Sequence, residues 1–290
     1  MSSILNRLSP TLRVHSWGGF GSQLFTVFVI MKLQARFPGR RLKIIVHTSG
    51  ITRMITEFNF KSIGIDSQQI EDFKVPRGKD NKESYLPKLL LCVSGKVKKF
   101  TSLILNQMHI VGRVSGDESL DSIKPWTIGI RGHYTNLSFE KHLVNSLYKI
   151  IFDPCANANK VSNNKNLVIH YRLGDLLHLT EKTHIHPERV EKLFEELRLG
   201  STSQLLFSDS TPEEVKGVLK AFKGLSDCKH FNSNPVSTLD ACISAATFIG
   251  TNAKLSLWAA LFRYFIFNKE NYLPRELSWA ANLGLKSNWY

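Results

Sequence analysis

Apolar positions along the chain come in short blocks separated by polar and glycine-containing breaks, and the blocks form two series. In the first, Leu12 to Trp17 predicts a short strand and Gly18-Gly-Phe-Gly21 a loop. Gln23 to Phe37 then predicts a helix with an apolar face, ended by Pro38-Gly39. Leu42 to His47 predicts a buried strand, so the order is strand, glycine loop, helix, strand. Such a βαβ unit implies a parallel sheet with helices on its faces. The second series opens with a strand at Asn166 to Tyr171, then a helix from His186 to Leu197 and a strand from Gln204 to Ser208. Thr211-Pro-Glu-Glu offers an N-cap, a proline at the first helical position and acids in the first turn, opening a helix through Phe222. Ala246 to Gly250 predicts a strand that runs into a helix near Lys254 to Phe267.

Between the two series, Asp153 to Lys165 is polar, rich in Asn and without apolar periodicity, as a linker would be. The expected domains are therefore 1–155 and 156–290, both α/β. The most apolar early run, Leu24 to Leu33, contains Lys32 and falls well short of the roughly 20 apolar residues that a spanning helix needs. Any membrane contact is expected to be peripheral.

Composition adds a charge argument. The 290 residues carry 38 Lys and Arg against 24 Asp and Glu, a net +14, which calls for an anionic partner: a nucleotide, nucleic acid or phospholipid surface. Residues 74–100 concentrate eight basic residues against two acidic ones, which suits a solvated face or contact with an acidic membrane. No basic and aromatic stripe, helix-turn-helix or RNA-binding signature accompanies the charge, so nucleic acid is not the expected partner. Length and 42% hydrophobic content exclude a disulfide miniprotein or a disordered chain. Cys92, Cys155, Cys228 and Cys242 lack C-x-x-C spacing and follow no signal-peptide layout, so free thiols in the cytoplasm are expected.

Three segments could carry chemistry. Gly18, Gly19 and Gly21, between a strand and a helix, let a ligand approach the backbone and the open helix N–H groups. This is not the dinucleotide fingerprint, because Ser22-Gln23-Leu24 supplies no third glycine and no acid follows the next strand suitably. A plain βα turn is the alternative. In the second segment, Val168-Ile-His-Tyr-Arg-Leu-Gly-Asp175, Arg172 and Gly174 stand where open α/β sheets place their ligands. The Arg172 guanidinium could hold phosphate oxygens with two parallel donors. In the third, Thr251, Asn252 and Ser256 surround a helix start to which Lys254 adds a charge, although simple N-capping would look the same.

Together these segments resemble the bacterial α-1,2-fucosyltransferase family. Gly18-Gly-Phe-Gly-Ser-Gln-Leu-Phe25 is similar to its Gly-Gly-Leu-Gly-Asn-Gln-Leu-Phe, and His170-Tyr-Arg-Leu-Gly-Asp175 to its His-x-Arg-Arg-Gly-Asp. Ile130 to Thr135, Leu206 to Ser210 and Asn252 to Trp258 resemble further family segments in the same order, so the likeness spans residues 12–265. Ser22, Leu173, Leu176, Ala253, Lys254 and Leu257 depart from the family pattern.

The resemblance implies a GT-B-like glycosyltransferase, two Rossmann-like domains facing a cleft. The acceptor would lie on the N-terminal domain and the nucleotide-sugar donor on the C-terminal one. Transfer would be inverting and metal-independent, moving fucose from GDP-fucose to a glycan hydroxyl, including a lipid-linked one, in α-1,2 linkage, in surface polysaccharide or O-antigen synthesis. No metal site and no cofactor beyond the donor are expected. Arg172 would neutralise the leaving diphosphate, with His170 and Asp175 beside it as catalytic candidates. Gly18, Gly19, Gly21, Thr251, Asn252, Lys254 and Ser256 would hold the donor, and Asp209, after the strand ending at Ser208, would meet its base or ribose. The general base is open among His15, Asp175, His184 and His186. The competing readings are a basic nucleic-acid-binding protein and an inactive glycan-binding relative.

Overall fold

The computed structural model describes residues 9–47, 59–60, 64–70, 111–152, 166–173, 185–198 and 203–290. These group into two compact units. The first takes the described residues of Met1–Trp17, Val29–Gly50 and Asn59–Leu137, the second those of Gly18–Phe28 and Ser138–Tyr290.

In the first unit, β1 (Leu12–Trp17), β2 (Leu42–His47), β3 (Asp66–Ile70), β4 (Val111–Arg113) and β5 (Gly129–Arg131) form a parallel sheet in the order β3-β2-β1-β5-β4. β1 and β2 pair in register from Leu12 opposite Leu42 to Trp17 opposite His47. Leu12, Val14 and Ser16 are buried while Arg13 is exposed, the two-residue alternation of a strand with one covered face. The helix α1 (Phe20–Arg36) follows β1. Its residues Leu24, Phe25, Val27, Phe28, Val29, Ile30 and Leu33 are all fully buried, so the apolar run is core. Gly39, at φ +79°, turns the chain after the helix. Lys32 pairs with Asp117 at 3.2 Å and Arg36 with Asp121 at 2.7 Å, both on the short helix α2 (Asp117–Asp121).

The strands of the second unit are β6 (Asn166–His170), β7 (Ser203–Phe207), β8 (Lys229–Phe231), β9 (Thr247–Gly250), β10 (Tyr272–Leu273) and β11 (Asn288–Trp289). Their order is β11-β10-β9-β6-β7-β8, again all parallel. Taken in chain order, this is the 3-2-1-4-5-6 arrangement of a doubly wound dinucleotide-type sheet, whose direction of winding reverses between β6 and β9. Leu167, Ile169, Leu206 and Ile249 of the sheet pack with Val190 and Phe194 of α4 (Pro187–Leu197), and with Val215 and Leu219 of α5 (Pro212–Leu219). The Thr211 side chain accepts from the Glu214 N–H while the Glu214 carboxylate accepts from the Thr211 N–H, so the predicted cap is a reciprocal box.

Beyond α6 (Lys223–Ser226), α7 (Pro235–Ser244) packs on α8 (Lys254–Phe265), which also meets α3 (Lys141–Ile151). Trp258 is fully buried, with ring centroids 4.8 Å from Phe25, 5.8 Å from Phe28 and 6.2 Å from Phe139. Burial of each such ring stabilises by about 3 kcal/mol. Arg263, also fully buried, donates to the carbonyls of Cys242, Ile243 and Ala245 at the end of α7, and to those of Ala246 and Glu270. A cation thereby satisfies the orphan acceptors at a helix C-terminus.

The α/β reading holds, and every predicted strand and helix lies within a few residues of its expected place. α1 begins at Phe20, and α5 stops at Leu219, the remainder forming α6. The polar segment 153–165 lies outside the described residues. α3 precedes it in sequence and groups with the second unit. Among the described residues no helix is long and apolar enough to cross a membrane.

Candidate functional site

The second sheet reverses its winding between β6 and β9, the place where open α/β sheets leave a crevice at their C-terminal edge. His170 ends β6 and Gly250 ends β9, side by side in the register. Thr251 locks the two ends together: its hydroxyl donates to the His170 carbonyl at 2.9 Å and accepts from the Arg172 N–H at 2.9 Å, and its own N–H meets the same carbonyl. Arg172 is thus presented by two strand ends. Its side chain is 28% exposed, with Nε 4.0 Å from Asp209 Oδ2, and Asp209 Oδ1 accepts from the Leu173 N–H at 3.0 Å. Asp209 therefore aims the guanidinium and fixes the turn beneath it.

The His170 imidazole shares a 2.7 Å hydrogen bond between Nδ1 and Ser256 Oγ, and both residues are buried. Burial holds its pKa down at about 4. The Asp209 carboxylate acts the other way, and the Arg172 cation reinforces the depression. At neutral pH His170 is an uncharged ring tying β6 to α8. The hydroxyls of Thr251 and Ser256 are likewise engaged within the protein, so these three residues shape the loop that Arg172 stands on.

The start of α8 adds the positive end of a helix. Its N-cap, Ala253, offers no side-chain acceptor, and no acid lies in its first turn. α1 likewise has no acid in its first turn. The two starts meet closely: a Cβ on Gly21 would lie 2.8 Å from the Leu255 backbone N and 3.1 Å from Lys254 Cβ. Glycine is required there for close backbone approach. The Trp258 indole donates to the Gly21 carbonyl at 3.1 Å, and Lys254 Nζ donates to Ser22 Oγ at 3.1 Å. Gly18 holds φ at +84°, turning the chain from β1 into α1, and the Gly19 carbonyl accepts the N–H groups of Ser22 and Gln23. Each helix start behaves as about half a positive charge, so two of them beside an ammonium repel one another. An anion of phosphate type would relieve that repulsion.

The structure thus brings Gly18, Gly19, Gly21, His170, Arg172, Asp209, Thr251, Lys254 and Ser256 into one unit, at the starts of α1 and α8 and at the ends of β6, β7 and β9. Asn252 is half-buried in the β9–α8 loop. Asp175, His184 and Gly174 lie outside the described residues, as do the basic residues of 74–100 and the thiols Cys92 and Cys155. Of the other base candidates, His15 is on β1 in the first unit, and His186 stands at the start of α4 with Nδ1 3.9 Å from Glu188. Cys228 and Cys242 are buried free thiols. Sequence reasoning missed Ser22 and Trp258 as the partners joining the two helix starts. It also missed Gly250, where a Cβ would lie 2.8 Å from that of Ser256. Among the described residues no group of three or more His, Cys, Asp or Glu could hold a metal ion.

Neither protein-family models nor characterised protein sequences give a match to this chain. Solved structures do. A glycosyl transferase family 9 protein from Veillonella parvula DSM 2008 is 12% identical, with 92% of this chain and 81% of that one covered, at a TM-score of 0.40. The E. coli heptosyltransferase WaaC with ADP is 10% identical over 91% and 87%, at 0.41. POFUT1 in complex with GDP is 11% identical over 91% and 98%, at 0.40. At TM-scores below 0.5 these likenesses carry no weight for function, which rests on the residues of this chain.

Proposed function

We propose that the chain is an inverting, metal-independent glycosyltransferase of GT-B type that moves fucose from GDP-fucose to a glycan hydroxyl, in α-1,2 linkage. The observation that carries this reading is the meeting of two acid-free helix starts with Lys254, beside Arg172 at the reversal of a doubly wound sheet. Such an arrangement suits a diphosphate, and the resemblance of Gly18 to Phe25 and His170 to Asp175 to the fucosyltransferase motifs supports fucose as the sugar. In the reaction the acceptor hydroxyl passes its proton to a general base, open among His15, Asp175, His184 and His186, and its oxygen bonds to the anomeric carbon as the bond from that carbon to the diphosphate oxygen breaks. Arg172, Lys254 and the α8 start meet the charge that develops on the leaving diphosphate. Asp209 aims Arg172, and His170 with Thr251 and Ser256 keeps the strand ends fixed.

Surface polysaccharide or O-antigen is the proposed product class. A lipid-linked acceptor and peripheral contact with an acidic membrane belong to the same proposal and rest on the charge of residues 74–100. The test is release of GDP from GDP-fucose in the presence of a glycan panel, compared with UDP- and ADP-sugars and repeated with a chelator. Transfer from GDP-fucose that survives chelation is expected. Silence with every nucleotide sugar, or a strict demand for a divalent ion, overturns the reading.

A further inference from the structure

The first sheet has a reversal of its own. Its order β3-β2-β1-β5-β4 changes direction between β1 and β5, so its C-terminal edge there is a second place for a ligand. Three flat side chains gather beside it, on the C-terminal halves of the neighbouring strands β1 and β2. Trp17 and His47, opposite one another in the register, stack with centroids 4.2 Å apart and planes 11° apart. His15 lies 5.7 Å from Trp17 and 5.0 Å from His47, within 26° of parallel, and its Nδ1 is 2.7 Å from His47 Nε2.

The chain after β5 is strained to support this layer. Tyr134 holds φ at +54°, a left-handed conformation that a bulky residue adopts only when its surroundings impose it. Its buried hydroxyl donates to the His15 carbonyl at 2.7 Å. Two residues earlier, a Cβ on Gly132 would fall 1.8 Å from the Val114 carbonyl oxygen. The Tyr134 hydroxyl thus clamps the backbone of His15, next to the edge where Trp17 is half-buried. Among the described residues the Trp17 indole N–H has no hydrogen-bond partner.

We propose that Trp17, braced by His47 and His15, is a stacking platform for one sugar ring of the acceptor glycan. An indole face takes the apolar face of a pyranose, and its N–H reaches a ring hydroxyl. The assignment to an acceptor rests on the glycosyl-transfer reading above; the platform itself rests only on the first unit.

The test pairs Trp17→Ala with Trp17→Phe. Trp17→Ala is expected to raise the acceptor KM at least tenfold and to leave the Kd for GDP within twofold. Trp17→Phe, which keeps a ring, should recover part of the loss. In the nucleotide-free wild type, the Trp17 indole N–H resonance should shift on titration with lactose and its longer glycans, and stay fixed with inorganic phosphate. A Trp17→Ala protein that binds GDP normally and keeps the wild-type acceptor KM overturns the platform, as does an indole resonance indifferent to every glycan. An indole that responds to glycans in a protein that neither binds GDP nor transfers sugar leaves the platform standing and removes the transferase reading.

Discussion

Arg172 is the side chain on which the proposed chemistry leans most, and its role can be separated from that of its supports. Arg172→Ala should cut transfer by at least a hundredfold with the melting temperature almost unchanged, because the side chain is partly exposed and its aim matters to the leaving group. Lysine should recover little, since it keeps the charge and loses the two parallel donors. A rate near wild type in the alanine protein would remove Arg172 from the phosphate site. Gly21→Ala is the opposite kind of change. A methyl group placed 2.8 Å from a backbone nitrogen must push two helix starts apart, so both stability and GDP binding should fall, by about 1–3 kcal/mol in stability. Wild-type urea unfolding and GDP affinity in that variant would count against the close approach. His170 gives a pH signature. Folded, it takes up a proton only near pH 4; unfolded, near 6.5. Between these values the unfolded chain binds more protons, so stability present above 6.5 is lost as pH falls through the window, by on the order of 3 kcal/mol. Urea titrations at pH 7 and 4.5 should show the loss, and His170→Asn should flatten it. Arg172, Lys254 and the glycines were legible because each stands beside a strand end or helix start in the sequence. The contacts that give Gly21 its meaning were not, since Trp258 lies 237 positions away.

Elements were legible in proportion to how much apolar pattern they carry. β1, β2, β6, β7 and β9 each set buried residues in a run that ends at a polar or glycine break, and α8 is apolar for most of its length. β4, β5 and β8 have three residues apiece, too few to show a period, and exist because a parallel neighbour supplies their hydrogen bonds. The end of α7 was illegible for another reason. Its carbonyls are satisfied by Arg263, a residue of the following helix that nothing in the sequence ties to them. Burial lowers its pKa to about 10, so it stays charged at neutral pH. Arg263→Met should cost about 3–5 kcal/mol, because several carbonyls lose their donor at once. Denaturant unfolding checks this. A loss below 1 kcal/mol would mean that the carbonyls find water or that Lys269, which already donates to Ser244 and Ala245, takes over.

At the scale of the molecule, compact units and continuous stretches of chain do not coincide. The second unit draws on Gly18–Phe28 as well as on everything from Ser138, so the first half of α1 belongs to it and the second half, from Val29, to the first unit. The polar segment after residue 152 reads as a boundary because composition reports where a chain is hydrophilic. It does not report which helix covers which sheet. A fragment 156–290 would leave Trp258 without Phe25, Phe28 and Phe139, and Phe262 without Tyr148. It should show no cooperative thermal transition by calorimetry, and a sharp transition with the enthalpy expected for its length would refute this. The same interleaving governs how such a chain can change over generations. Exchange of its coding sequence at the middle would deliver a sheet stripped of part of its helical cover. The pieces of chain that build the second unit, Gly18–Phe28 and everything described from Ser138 to Tyr290, would have to be exchanged together to keep that cover.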